Sequence, residues 1–164
     1  LMNAGLKIMF TGHYHANDIT MWNANGKTLF DVETGSLVTP PSPYRMIIMD
    51  NKGMNIHTTR ITSINCTLPM GFSFTHYSRQ FLTAHLDGYF AMVLEYLYGV
   101  PAQYAVAMAP LFRNGWMAHY AGDENITPPE QAADDQVPDP MLKGALQGIW
   151  TDLPPADNRV SFNW

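Results

Sequence analysis

The sequence has 164 residues, of which 46% are hydrophobic, and a formal net charge of −5. This length and apolar content are sufficient for one domain with a sizeable core, whereas the negative charge argues against a nucleic-acid-binding surface. The single cysteine, Cys66, excludes an internal disulfide, and no apolar segment reaches the roughly 20 residues that a membrane-spanning helix needs.

The first part of the chain has the residue pattern of strands. Residues 6–11 form a short apolar run between two glycines, which predicts a first strand. Asn25-Gly26 and Asn51-Lys52-Gly53 are typical hairpin turns. The strands expected beside these turns are residues 21–22 with 27–33, and residues 45–50 with 55–63. The sequence therefore predicts that residues 1–66 are rich in β-structure.

Beyond residue 67 the hydrophobic period changes to that of helices. Large apolar residues recur every three or four positions from Tyr77 to Leu97, and Gly99 and Pro101 then end the predicted helix. Further helices are expected over residues 102–121, after the capping-box sequence at 127–130, and over 141–153. The predicted fold class is α+β, with a helical unit of residues 67–164 after the β-rich part.

Two histidines directly follow the first predicted strand, in the sequence Gly12-His13-Tyr14-His15. On an extended backbone, positions i and i+2 point to the same side, so His13 and His15 are expected to converge at the end of the strand. Neutral imidazole nitrogens are good ligands for first-row transition metals. The pair therefore predicts half of a metal site, whose other ligands come from elsewhere.

Two segments resemble the calcineurin-like metallophosphoesterases. Residues 12–19 (GHYHANDI) are similar to the last metal-binding block of that family. Residues 30–45, which run through Thr34-Gly35-Ser36 and a proline-rich loop to an arginine, resemble the segment that follows it. The resemblance covers about residues 5–60. It implies a β-sandwich with two metal ions, bridged by an Asp, that activate a water for in-line attack on a phosphate ester.

By the family's pattern, His13 binds one metal ion and His15 the other, and Mn, Fe and Zn all suit such ligands. The chain departs from that pattern in its remaining ligands. The motifs Asp-x-His, Gly-Asp-x-x-Asp and Gly-Asn-His-Asp/Glu, which precede the histidine block in the family, do not occur here. We therefore expect the chain to be the C-terminal part of a phosphoesterase, with no complete catalytic set, weak metal affinity and no activity by itself.

Such a partial sandwich, consisting mostly of one sheet, would expose an apolar face and unpaired strand edges. The expected partners are the missing N-terminal half or a second copy of the chain, together with a phosphate-ester substrate. Neither a nucleic-acid-binding surface nor a transmembrane segment is expected, and the sequence gives no indication of the compartment.

Four polar residues adjoin the two family-like segments: Asn17, Asp18, Tyr44 and Arg45. The first two are candidates for hydrogen bonds to metal-bound imidazoles, or for a simple Asx-turn. The last two are candidates for contact with a substrate phosphate. The alternative for Arg45 is an ion pair with Asp31 or Glu33.

Two other functions fit parts of the sequence. A single-metal barrel of cupin type also uses His-x-His, but it needs a Glu about four residues later, where this chain has Ile19, with Asp18 one position short. The other alternative is a non-catalytic interaction module, in which the helical part binds a partner and the histidines are incidental. Metal binding distinguishes the first two functions from the third.

Overall fold

The computed structural model of the protein describes residues 1–122 and 124–163. These residues form six strands, four α-helices and two short 3-10 helices. The elements are β1 Ile8–Thr11, β2 Ile19–Ala24, β3 Lys27–Glu33, β4 Pro43–Met49, β5 Gly53–Arg60, α1 Phe74–Tyr96, α2 Ala102–Ala121, α3 Pro128–Asp134, α4 Pro140–Ile149 and β6 Arg159–Asn163. The mixed α+β class predicted from the sequence is confirmed.

The strands divide equally between two sheets, where the sequence predicted mostly one sheet. In the first sheet, with order β1-β3-β2, strands β2 and β3 form the hairpin predicted at Asn25-Gly26, and β1 pairs with β3 in parallel. In the second sheet, with order β4-β5-β6, the predicted hairpin of β4 and β5 is also present. Strand β4 lies at the edge of its sheet and begins at Pro43. Proline is tolerated at this position, since the first residue of an edge strand does not need to donate a backbone hydrogen bond.

The C-terminal strand β6 was not predicted. It pairs antiparallel with β5, from Gly53 opposite Asn163 to His57 opposite Arg159. The described chain therefore forms two compact units, the first of residues 1–62, 120–122 and 152–163, and the second of residues 63–119 and 124–151. The predicted helical unit of residues 67–164 is corrected accordingly, since its last part belongs to a sheet.

In the first unit the two sheets share one hydrophobic core. The core residues are at most 5% exposed and come from both sheets: Ile19, Val32, Met54, Ile56 and Phe162. The Phe162 ring packs against Phe30 of the first sheet, with a distance of 3.9 Å between the ring centroids. On β5 the buried positions Met54, Ile56 and Thr58 alternate with exposed ones, as expected for a strand with one face covered.

The second unit is built on a hairpin of α1 and α2. The Phe90 ring packs against the rings of Phe112 and Trp116, with centroid distances of 5.8 and 5.5 Å. The Arg113 guanidinium donates from Nη1 to both carboxylate oxygens of Asp87, at 2.9 and 2.8 Å. Of the helices that the structure describes, none has both the length and the apolar character needed to cross a membrane.

Helices α3 and α4 begin at the predicted caps. The Glu130 carboxylate accepts hydrogen bonds from the backbone N–H and the hydroxyl of Thr127, at 3.0 and 2.6 Å, which is one half of a capping box. The Asp139 carboxylate accepts from the backbone N–H groups of Met141 and Leu142, both at 2.9 Å. Both helices therefore start where local side-chain chemistry satisfies their first N–H groups.

Candidate functional site

The two histidines lie in a loop of residues 12–18, here called the histidine loop, between β1 and β2. Backbone hydrogen bonds connect both ends of this loop to the end of β3. Thr11 is opposite Glu33 in the parallel ladder, and the backbone N–H of Thr34 donates to the Thr11 carbonyl at 3.3 Å. Asp18 and Glu33 exchange both backbone hydrogen bonds, at 3.2 and 2.9 Å. The histidine loop is therefore closed at a fixed position beside the carboxyl end of β3.

His13 and His15 do not continue the strand. Their φ angles are +91° and +65°, in the left-handed region, so the backbone between them is not extended. The prediction that they share one face by strand alternation is wrong for this reason, since alternation holds only for extended residues. A non-glycine residue in this region costs about 1–2 kcal/mol, so other contacts must stabilise the loop.

Glu33 and Gly35 supply two of these contacts. The Glu33 carboxylate accepts a hydrogen bond at 2.9 Å from the backbone N–H of Tyr14, which lies between the two histidines. At Gly35, an added Cβ would lie 2.6 Å from Cγ of Pro43 and 3.2 Å from the carbonyl oxygen of His15. Only glycine fits there without displacement of its neighbours. The Thr-Gly-Ser turn is thus packed directly against the histidine loop.

Both imidazoles are accessible to a ligand. His13 is exposed and His15 is half-buried, with its ring centroid 6.3 Å from that of Tyr120. Within the described part of the chain, neither ring donates or accepts a hydrogen bond. Accessible imidazole nitrogens of this kind are able to bind a first-row transition metal.

Asn17 is fully buried and has a role that the sequence analysis did not predict. Its side-chain oxygen accepts a hydrogen bond from Nε of Arg45 at 3.2 Å. Its side-chain nitrogen donates to Oδ1 of Asn158 at 3.1 Å and to the Thr58 hydroxyl at 3.4 Å. These bonds connect the histidine loop to the second sheet.

The predicted hydrogen bond from Asn17 or Asp18 to an imidazole is corrected here. The Asn17 side-chain amide forms its hydrogen bonds with Thr58, Asn158 and Arg45 instead of an imidazole. The half-buried Asp18 carboxylate forms no hydrogen bond with another residue in the described ranges. The backbone groups of Asp18 pair with Glu33 instead. Both residues therefore act on the histidines through the position of the loop and not by direct contact.

Arg45 belongs to the same network as Asn17. Its Nη2 donates to the carbonyl oxygens of Asp18 and Asp157, at 3.4 and 3.3 Å. These protein acceptors favour a structural role for the guanidinium. Tyr44 precedes it on β4 and is 39% exposed. Because successive strand residues point to opposite faces, Tyr44 and Arg45 cannot approach one phosphate together from the same side of the sheet.

Sequence reasoning missed Asp157 and Asn158, which precede β6. Asp157 is 1% exposed, and its carboxylate accepts a hydrogen bond at 2.7 Å from the backbone N–H of Ile19. Asn158 accepts from Arg60 at 3.2 Å and donates to the carbonyl of Gly122 at 3.1 Å. The available signal was the apolar alternation at positions 160 and 162, which indicates a strand directly after this polar pair.

Comparison with known proteins does not place the chain in a family. No protein-family model matches the sequence, and no curated protein matches it with significance. The assignment to the metallophosphoesterases therefore remains a prediction from the two sequence segments.

Proposed function

We propose that the chain supplies the last two metal ligands, His13 and His15, of a dinuclear metal-dependent phosphoesterase. The observation that carries this proposal is the histidine loop, which presents two imidazoles, one residue apart, with positive φ and no hydrogen bond to the described protein. Backbone strain of this kind lowers stability, and it is concentrated at functional sites where neighbouring contacts maintain it.

The contact between the two family-like segments supports the same function. They are separated in the sequence by residues 20–29, which include the turn of the β2–β3 hairpin. Glu33 and Gly35 of the second segment contact the backbone of Tyr14 and His15 in the first. Two segments of one catalytic site must meet in this way, whereas two chance resemblances need not.

The roles of the residues follow from these contacts. His13 and His15 would bind Mn, Fe or Zn ions through their ring nitrogens. Such ions polarise a phosphate ester and supply a nucleophilic water. Glu33 fixes the backbone between the histidines, and Asn17 and Arg45 anchor the loop to the second sheet. The motifs that supply the bridging Asp and the other ligands in that family do not occur in this sequence. The active enzyme would therefore obtain these ligands from further residues.

The test is to measure bound metal and the hydrolysis of p-nitrophenyl phosphate and its diester by the intact protein that contains this chain. His13→Asn and His15→Asn remove the imidazoles without added strain, because Asn tolerates positive φ. We expect each variant to lose most of its metal and at least about 100-fold in activity, since removal of groups that merely support a metal ligand already costs about 10–100-fold.

His57→Asn is the matched control, because His57 is an exposed histidine on β5 of the same unit. It is expected to keep both metal and activity. Metal content distinguishes the alternatives: two ions per chain agree with the proposal, and one ion indicates a cupin-like site. No bound metal in the wild-type protein, or full activity in both loop variants, would show that the histidines are incidental.

A further inference from the structure

We propose that strand β4 pairs antiparallel with β4 of a second copy of the chain, with Ile47 on the two-fold axis between the copies. Strand β4 is an edge of its sheet, because the strand order is β4-β5-β6 and the described residues place no strand on its other side. The pairing would join two three-stranded sheets into one continuous sheet, and it involves no residue of the histidine loop.

 

The register of the β4–β5 hairpin determines which backbone groups of β4 face away from β5. At the two ends of the hairpin, the N–H of Asp50 donates to the Gly53 carbonyl at 3.0 Å, and the N–H of Ile61 donates to the Ser42 carbonyl at 3.1 Å. Hydrogen-bonded and non-hydrogen-bonded pairs alternate in an antiparallel ladder, so the even-numbered residues of β4 bond to β5. The N–H and C=O groups of the odd-numbered residues, Ile47 among them, therefore point outward.

This outward edge of β4 is open to another strand. Among the described residues, the N–H and C=O groups of Ile47 have no hydrogen-bond partner. Edge strands are commonly protected from pairing by charged side chains, but residues 46–49 contain none. At the opposite edge of the same sheet, β6 exposes the polar side chains of Arg159 and Ser161. Strand β4 is therefore the edge of this sheet that favours a partner.

The side chains of β4 favour a second copy of the same strand as that partner. Met46 and Ile48 lie on one face of the sheet, Ile47 and Met49 lie on the other, and all four side chains are exposed. A matching strand must therefore be apolar on both of its faces. Residues 46–49 are themselves such a strand, and they carry no charge that two copies would bring together.

Pro43 and Asp50, at the two ends of the strand, determine the register. With Ile47 opposite its own copy, residues 46–48 face residues 46–48 of the second copy, and apolar side chains meet on both faces. A shift of the register toward Pro43 would place this residue, which has no N–H, at a hydrogen-bonded position. A shift in the other direction would place Met46 opposite the carboxylate of Asp50.

The test is a cysteine scan of positions 46–49 in the 164-residue chain, in which the exposed Cys66 is first replaced by serine. Each variant is treated with a mild oxidant, and the rate of disulfide-linked dimer formation is measured on non-reducing gels. We expect the fastest rate for Ile47→Cys. Directly opposite residues of this kind have Cα atoms about 5.5 Å apart, which is within the range of a disulfide.

Met49→Cys is the matched control, because Met49 is also exposed and lies on the same face of β4 as Ile47. In the proposed register, position 49 lies about 13 Å along the strand from its own copy, which is too far for a disulfide. Its dimer should therefore form at least about tenfold more slowly than that of Ile47→Cys.

Ile47→Pro gives a second measurement that does not depend on oxidation. Proline removes the outward N–H and is tolerated on an edge strand where that group faces solvent, whereas the control Ile47→Val keeps it. Light scattering should give a dimer dissociation constant at least about tenfold higher for the proline variant, because the dimer loses two backbone hydrogen bonds.

Circular dichroism establishes that each variant is folded. Fastest cross-linking at position 46, 48 or 49 would overturn the proposed register. Equal dissociation constants of the proline and valine variants, or a monomeric chain at all concentrations, would show that β4 does not pair with a second copy.

Discussion

Burial raises the pKa of the Asp134 carboxyl. The effect of this residue on the pH dependence of stability is therefore opposite to that of most acidic residues. Because the pKa of Asp134 is raised in the folded protein, the folded state binds the proton more tightly than the unfolded state. Between the unfolded pKa of 3.8 and the raised folded pKa, the free energy of unfolding therefore decreases as the pH rises. Asp135 behaves oppositely, since its hydrogen bond with Lys143 is the largest cause that lowers its pKa.

We predict that Asp134→Asn raises the melting temperature at neutral pH, because it removes a buried charge and keeps the side-chain shape. The gain should shrink as the pH falls through the raised folded pKa and then below 3.8, where the wild-type carboxyl becomes protonated in both states. Thermal unfolding of both proteins, followed by circular dichroism across this pH range, measures the difference. A lower melting temperature of the variant at neutral pH would contradict the prediction.

At the scale of elements, β6 completes the second sheet although it is the last strand in the chain. Phe162 of β6 belongs to the hydrophobic core and packs against Phe30 of the first sheet. We predict that Phe162→Ala lowers the free energy of unfolding by about 3–5 kcal/mol, the usual effect of removing a buried phenylalanine. Urea unfolding monitored by circular dichroism measures this change.

Ser161→Ala is the control for that experiment. Ser161 is the exposed neighbour of Phe162 on β6, and its hydroxyl donates to the Asn55 side chain at 2.6 Å. Its replacement should cost about 0.5–1.5 kcal/mol, as for a single exposed hydrogen bond. If the two variants had equal stability, β6 would not contribute to the core as described.

At the scale of the whole molecule, the edge strand β4 exposes an unbroken run of apolar side chains. Met46, Ile47, Ile48 and Met49 are 56%, 42%, 70% and 66% exposed. An edge strand with exposed apolar side chains is a typical site of association with another chain. This surface agrees with the predicted need for a covering partner, which remains a prediction.

We predict that the 164-residue chain self-associates in a concentration-dependent manner and that the double variant Met46→Lys, Ile48→Lys is monomeric. Size-exclusion chromatography with light scattering measures the mass. Thr20→Lys places a charge at an exposed position of β2, an edge strand of the first sheet, and should leave the association unchanged. A monomeric wild type at all concentrations would contradict the prediction.

Much of the secondary structure could be predicted because its signals are local. Asn25-Gly26 indicates a hairpin by its own backbone preferences, and Thr127 with Glu130 marks a helix start over a single turn. The run from Tyr77 to Leu97 similarly predicts α1 by its period. Each signal acts within a few residues and does not depend on the rest of the fold.

The sequence by itself determined the mixed α+β class, both hairpins, the helix starts and the position of His13 and His15 after a strand. Only the tertiary structure decided the pairing of β6 with β5, the left-handed backbone of the histidines and the burial of Asn17 against Asn158. These features depend on groups that are far apart in the sequence, such as Ile19 and Asp157, 138 residues apart. No local preference encodes such contacts, because they form only when the two sheets pack together.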